Sequence, residues 1–194
     1  MRRIATILTA ATILLGDSLS AEENIGTLTL DSLSYVSFQD EETLSLAAGT
    51  IRFHFGRPLS TGAIPFTIEP EDVSIPAIAV RGGGTLSYSL ASPASGVIKT
   101  TESGRQIAFT AAIDATFREE DHEGTLRHSI PFTTESASAT SSNGRDRVEA
   151  TGMRVPDGTS YVRLVGASTN DADAVPKPGT AVYTVLSGTF DRLP

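Results

Sequence analysis

The stretch that decides the fold runs from Gln106 to Phe132, QIAFTAAIDATFREEDHEGTLRHSIPF. In its first half Ile107, Phe109, Ile113 and Phe117 sit at even spacings. An extended chain sends successive side chains to opposite faces, so a strand gathers all four on one side. In its second half Leu126, His128, Ile130 and Phe132 share a face by the same count. The charged segment REEDHEG between the two halves interrupts both runs, and the reading is a hairpin.

The same period of two recurs outward in both directions. TLSYSL alternates Leu86, Tyr88 and Leu90 with Thr85, Ser87 and Ser89, and TIRFHF alternates Ile51, Phe53 and Phe55 with Arg52 and His54. GTLTLDS, IPFTI, YVRLVGAS and TAVYTVLSG repeat the pattern. Turn chemistry separates these runs at short intervals: ESGR at Glu102 to Arg105, RGGG at Arg81 to Gly84, SNGR with Asn143-Gly144, and VPDGTS at Val155 to Ser160. Short strands without intervening helices predict an all-β chain, either an antiparallel sandwich or a barrel.

The expected fold is a single antiparallel β-sandwich, jelly-roll or immunoglobulin-like, with a soluble β-barrel as the alternative. A membrane barrel would need strands of about 9 to 11 residues and aromatic girdles, whereas the chain has no Trp and four Tyr. Pro65 and Pro131 lie inside strand-like runs, and proline cannot donate to a ladder, so both are expected at edges or bulges. Gly26 to Phe38, alternating and polar on one face, is the expected open edge where another chain could pair. Thr133 to Arg147 and Ser168 to Thr180 are polar or proline-rich, and each is expected to be a polar strand leading into a loop, or a long loop.

Residues 1–20 carry the signature of a secretory signal peptide. Arg2 and Arg3 precede an apolar run from Ile4 to Leu15, followed by the small residues Ser18 to Ser20. That run is shorter than the roughly 20 apolar residues a membrane-spanning helix needs. The paired arginines lack the continuation of a twin-arginine leader, so general secretion is expected. Residues 21–194 then form one domain, released to the cell surface, the periplasm or the medium.

Of 15 basic and 23 acidic residues, loss of Arg2, Arg3 and Asp17 leaves 13 and 22, a net charge of −9. Such a surface repels nucleic acid and anionic membranes. There is no cysteine, hence no disulfide staple, no thiolate nucleophile and no lipid-bearing N-terminal cysteine. Stability must come from packing.

The charged hairpin tip is where chemistry-capable residues gather. Glu119, Asp121, His122 and Glu123 are the candidate ligands for calcium or another divalent cation, because oxygen and imidazole donors must converge on one point. The competing reading is a solvated turn. His54 is expected to point away from Phe53 and Phe55, which argues against a three-histidine centre. Asn170, Asp171 and Asp173 cluster without the glycine and glutamate of a helix-loop-helix calcium loop. Neither Gly-x-Ser-x-Gly nor Ser-x-x-Lys occurs. Sugar stacking would fall to Tyr35, Tyr88, Tyr161 or Tyr183, of which Tyr88 is expected to be buried between Leu86 and Leu90.

These observations predict an exported, non-enzymatic protein with a binding or structural role, its partner a protein or a glycan, with no cofactor. A carbohydrate-active or divalent-cation-dependent enzyme is the alternative.

Overall fold

The structure is a computed structural model that describes residues 24–38, 42–80, 83–102, 104–120, 122–134, 159–168 and 182–194. The leader at 1–20, the expected turn at Asn143-Gly144, the acidic cluster at Asn170 to Asp173 and nearly all of the two polar stretches lie outside these residues.

In chain order the strands are β1 (Ile25–Leu30), β2 (Tyr35–Phe38), β3 (Glu42–Ser45), β4 (Thr50–Phe55) and β5 (Ile64–Ile68). A single 3-10 turn, Pro70–Asp72, then leads into β6 (Val73–Ser74), β7 (Ile78–Ala79) and β8 (Thr85–Leu90). β9 (Ala94–Thr101), β10 (Gly104–Glu119), β11 (His122–Thr134), β12 (Ser160–Ser168) and β13 (Val182–Phe190) complete the described chain. The central reading holds: β10 and β11 form a hairpin that runs from Ala108↔Thr133 to Glu119↔His122, and Glu102 to Arg105 turns β9 into β10.

The architecture is a closed eight-stranded antiparallel barrel with outer strands, and this corrects the expected sandwich in favour of the alternative. The ring runs β1-β4-β5-β9-β10-β11-β12-β13 and closes when β13 returns to β1 through Leu28↔Phe190, Thr29↔Thr189 and Leu30↔Gly188. Alternation alone cannot separate the two folds, because a sandwich face and a barrel wall both bury every second residue. What decides is a non-local pairing of the first strand with the last. For the same reason the expected open edge at Gly26 to Phe38 is not one: β1 is paired on both sides, by β4 and β13, and β2 lies between β13 and β3.

Two long strands fork. Gly104 to Phe109 of β10 pair with β9, but Ile113 to Arg118 pair with β8, so the β10–β11 hairpin projects beyond the barrel. β13 pairs with β2 over Val182 to Val185 and with β1 over Gly188 to Phe190. The fork in β13 is stapled by the turn between β1 and β2. Ser34 Oγ donates to the Ser187 carbonyl at 2.6 Å and accepts from the Ser187 N–H at 2.9 Å, while the Tyr161 hydroxyl bonds Ser187 Oγ. The backbones come so close here that a Cβ on Gly188 would lie 1.9 Å from the Thr29 carbonyl oxygen, which requires glycine.

Both prolines sit where a ladder stops. β11 pairs with β12 over Phe132 to Thr134, and the ladder ends beside Pro131. β4 pairs with β5 only at His54↔Thr67 and Phe55↔Phe66, and Pro65 follows.

The barrel closes around phenylalanine. Phe53 packs at a tilt against Phe66 and Phe190 with ring centroids 5.1 and 5.0 Å apart, and Phe109 stacks on Phe132 at 5.0 Å. All of these but Phe190 are residues the alternating runs place inward. Each fully buried side chain of this size contributes about 1.5–3 kcal/mol, so a chain without disulfides can close on packing. A smaller cluster of Val165, Ala167, Tyr183 and Val185, with Tyr35 against it, lies on the opposite face of β12 and β13.

Candidate functional site: an apolar cavity at the barrel mouth

At the end of the barrel where β4 begins and β5 ends, the forking of β10 leaves a space between the barrel and its outer strands. The cavity measures about 40 Å³. Barrel strands contribute Ile51, Ile68, Phe109, Phe132 and Leu186, β8 contributes Tyr88 and Leu90, and the segment after the 3-10 turn contributes Val73 and Ile75. Part-exposed Val73, Ile75 and Ile113 and exposed Ser89 mark its outer side. Among the described residues no charged side chain lines it, and the surface facing the space is carbon. A space of this volume exceeds the roughly 10–15 Å³ that admits one water, yet a water needs polar partners to stay, so walls of this kind favour an apolar guest.

Among the described residues two hydroxyls are buried in this lining without a partner, those of Tyr88 and Thr184. Burial pushes the Tyr88 phenol above its ordinary value, so it remains protonated. Tyr88 was expected to be buried from its alternation with Leu86 and Leu90, and it is, at 7% exposure. Tyr161 and Tyr183 are buried as well, so these three rings present no stacking surface to a sugar.

One wall of the cavity is held by a charge cluster. Asp72, at the end of the 3-10 turn, is buried, and its carboxylate takes Arg52 Nη2 at 2.8 Å and His54 Nε2 at 2.6 Å. Its Oδ2 also accepts from the Glu69 N–H at 3.2 Å. As expected, His54 lies on the face of β4 opposite Phe53 and Phe55, but it is half-buried against Asp72 rather than free. The next residue after Asp72 is Val73, so the cluster fixes where the cavity wall begins. The sequence signal for it was the run EPED, Glu69 to Asp72, in which an acidic residue three positions after another brackets a proline-led turn.

The hairpin tip does not assemble into a centre among the described residues. Glu119 and His122 face each other across the turn, but Glu123 alternates to the other face and is taken by Arg118, with Nη2 at 2.7 Å. Asp121 lies outside the described residues. No group of three or more His, Cys, Asp or Glu side chains suited to a metal occurs among those described. His128 does share a face with Leu126, Ile130 and Phe132, and it is half-buried; among the described residues its buried Nε2 has no partner, and burial lowers its pKa. Leu126, expected inward, is instead 61% exposed, because the hairpin has by then left the barrel.

No family model, curated protein or solved structure matches the chain. The functional reading therefore rests on the barrel and its cavity.

Proposed function

We propose that this is an exported, non-enzymatic binding protein that holds a small, uncharged, mainly apolar molecule in the cavity at the barrel mouth. The observation that carries the reading is the cavity's wall, carbon throughout and drawn from barrel and outer strands together. A charged guest would lose its hydration there without gaining a counter-charge, a cost of several kcal/mol. A neutral apolar guest loses little and gains contact. Small barrels hold single ligands in this way at their mouths. Export is supported by the leader reading of residues 1–20, with the cell surface or periplasm as the destination.

The test is thermal unfolding of the full chain with xenon or cyclopropane, guests small enough for a cavity of this volume, against acetate. A molecule that binds only the folded state raises the unfolding temperature. The neutral compounds are expected to raise it and acetate to leave it unchanged. Equal shifts for cyclopropane and acetate, or none for either neutral compound, would refute the reading.

A further inference from the structure

The outer edge of β11 is the second surface with a definite chemistry. Its ladder to β12 covers Phe132 to Thr134, so among the described residues His122 to Ser129 present an unpaired edge. Long unpaired edges are templates for another strand, and proteins normally blunt them. Here the edge instead carries Leu126 at 61% exposure.

Two faces of this edge can be read from its pairing with β10. On one face Arg127 takes Asp114 at 2.6 Å, Thr125 meets Thr116 at 2.9 Å, and Glu123 takes Arg118 at 2.7 Å. On the other lie His122, Gly124, Leu126 and His128.

We propose that two copies of this chain associate by antiparallel pairing of their β11 edges about a two-fold axis through Thr125. Isologous pairing about Thr125 sets Glu123 of each copy opposite Arg127 of the other, which links the existing ion pairs into a row from Asp114 through Arg127 and Glu123 to Arg118. It also sets Leu126 opposite Gly124 of the second copy. A Cβ on Gly124 would find no atom within 4 Å, so the space above it is open to receive that leucine. Centring on Leu126 would place Arg127 against Thr125 and Glu123 against Ser129, losing both complementarities. Charge pairs of this kind fix register and partner more than strength, and cross-strand pairs are the unit of sheet stabilisation. At the ends of the row His128 meets His122 of the second copy, and desolvation favours the uncharged form of His128, which limits repulsion there.

The chain contains no cysteine, so a single introduced thiol reports the contact. In this register the two Thr125 Cβ atoms lie about 4.5–5.5 Å apart, within reach of a disulfide after small adjustment. Sedimentation equilibrium of the full chain is expected to give a dimer. Thr125→Cys should oxidise to a covalent dimer, while Ser87→Cys on the same polar face of β8 associates without becoming covalently linked. Leu126→Asp should weaken association by about tenfold or more with an unchanged far-ultraviolet spectrum. A monomeric wild-type chain overturns the proposal, whether its β11 amides exchange freely or are protected by the chain's own residues 135–158. A dimer in which Thr125→Cys oxidises no faster than Ser87→Cys overturns it too.

Discussion

His54 and Asp72 meet through Nε2 and Oδ2 at 2.6 Å on the outside of β4, and that contact fixes the approach of the chain to the cavity. Asp72 is buried, whereas its partners Arg52 and His54 are half-exposed and can return to water. The carboxylate is therefore the member whose removal matters, because Val73 and Ile75 follow it into the wall.

Asp72→Ala is expected to cost about 1–3 kcal/mol, the range for removing a buried, charge-assisted hydrogen-bonding group, while Arg52→Ala costs less because half of its side chain is already solvated. Urea unfolding of the two variants checks the order. If Arg52→Ala proves the more damaging, the anchoring role assigned to Asp72 is wrong.

Asp31 gives a prediction of the opposite sign. Its Oδ1 accepts from the Leu33 N–H at 2.8 Å, whereas Oδ2 is buried with no hydrogen bond of normal length among the described residues; desolvation outweighs the help of the Leu33 N–H, the Tyr161 hydroxyl and Arg163 and raises the pKa above 3.8. A raised carboxyl pKa stabilises the fold below the unfolded value, and this contribution is lost as pH rises through the folded value. Asp31→Asn keeps the acceptor without the charge. It should be more stable than the wild type at pH 7, by up to about 1 kcal/mol for a half-buried group. The difference should shrink as the pH falls through the raised folded value and be gone below 3.8, measured as urea midpoints at pH 7 and below 3.8.

His128 makes an acid-side contribution. Desolvation lowers its pKa from 6.5, so its contribution to stability is complete above pH 6.5 and is lost as the pH falls through its folded value. His128→Gln should flatten the decline in unfolding temperature between neutral pH and about pH 5, the range in which an imidazole titrates. An unchanged slope would show that the ring is solvated.

Among the described residues the hydroxyls of Tyr88 and Thr184 have no partner. Removing an orphaned buried hydroxyl recovers part of its desolvation cost. Thr184→Val, which keeps the side-chain shape, should raise stability by about 1 kcal/mol, and Tyr88→Phe should not lower it. A loss of stability in Thr184→Val, seen by calorimetry, would mean that its hydroxyl is already satisfied.

Much of the wall was legible in the sequence and its closure was not. The alternation in TLSYSL and TIRFHF assigned Leu86, Tyr88, Phe53 and Phe55 to the core and turned His54 outward, because face depends only on the parity of the count. Whether those faces close on a second sheet or on themselves depends on Leu28 finding Phe190, a pairing that local pattern does not encode. The cavity is likewise non-local, since Ile51, Val73, Tyr88 and Leu186 come from separate strands. The charged tip drew notice for its composition, but strand parity separates His122 from Glu123. Asp72 escaped notice because its partners lie about twenty residues upstream on another strand.

The central claim is that the cavity receives a small neutral guest. Ala111 lines it and is 2% exposed, so Ala111→Leu fills the space from within. The decisive measurement is the xenon-induced rise in unfolding temperature of the wild type and of Ala111→Leu. A rise in the wild type that disappears in the filled variant, with the far-ultraviolet spectrum unchanged, is the expected result. An equal rise in both would place the guest elsewhere and contradict the account.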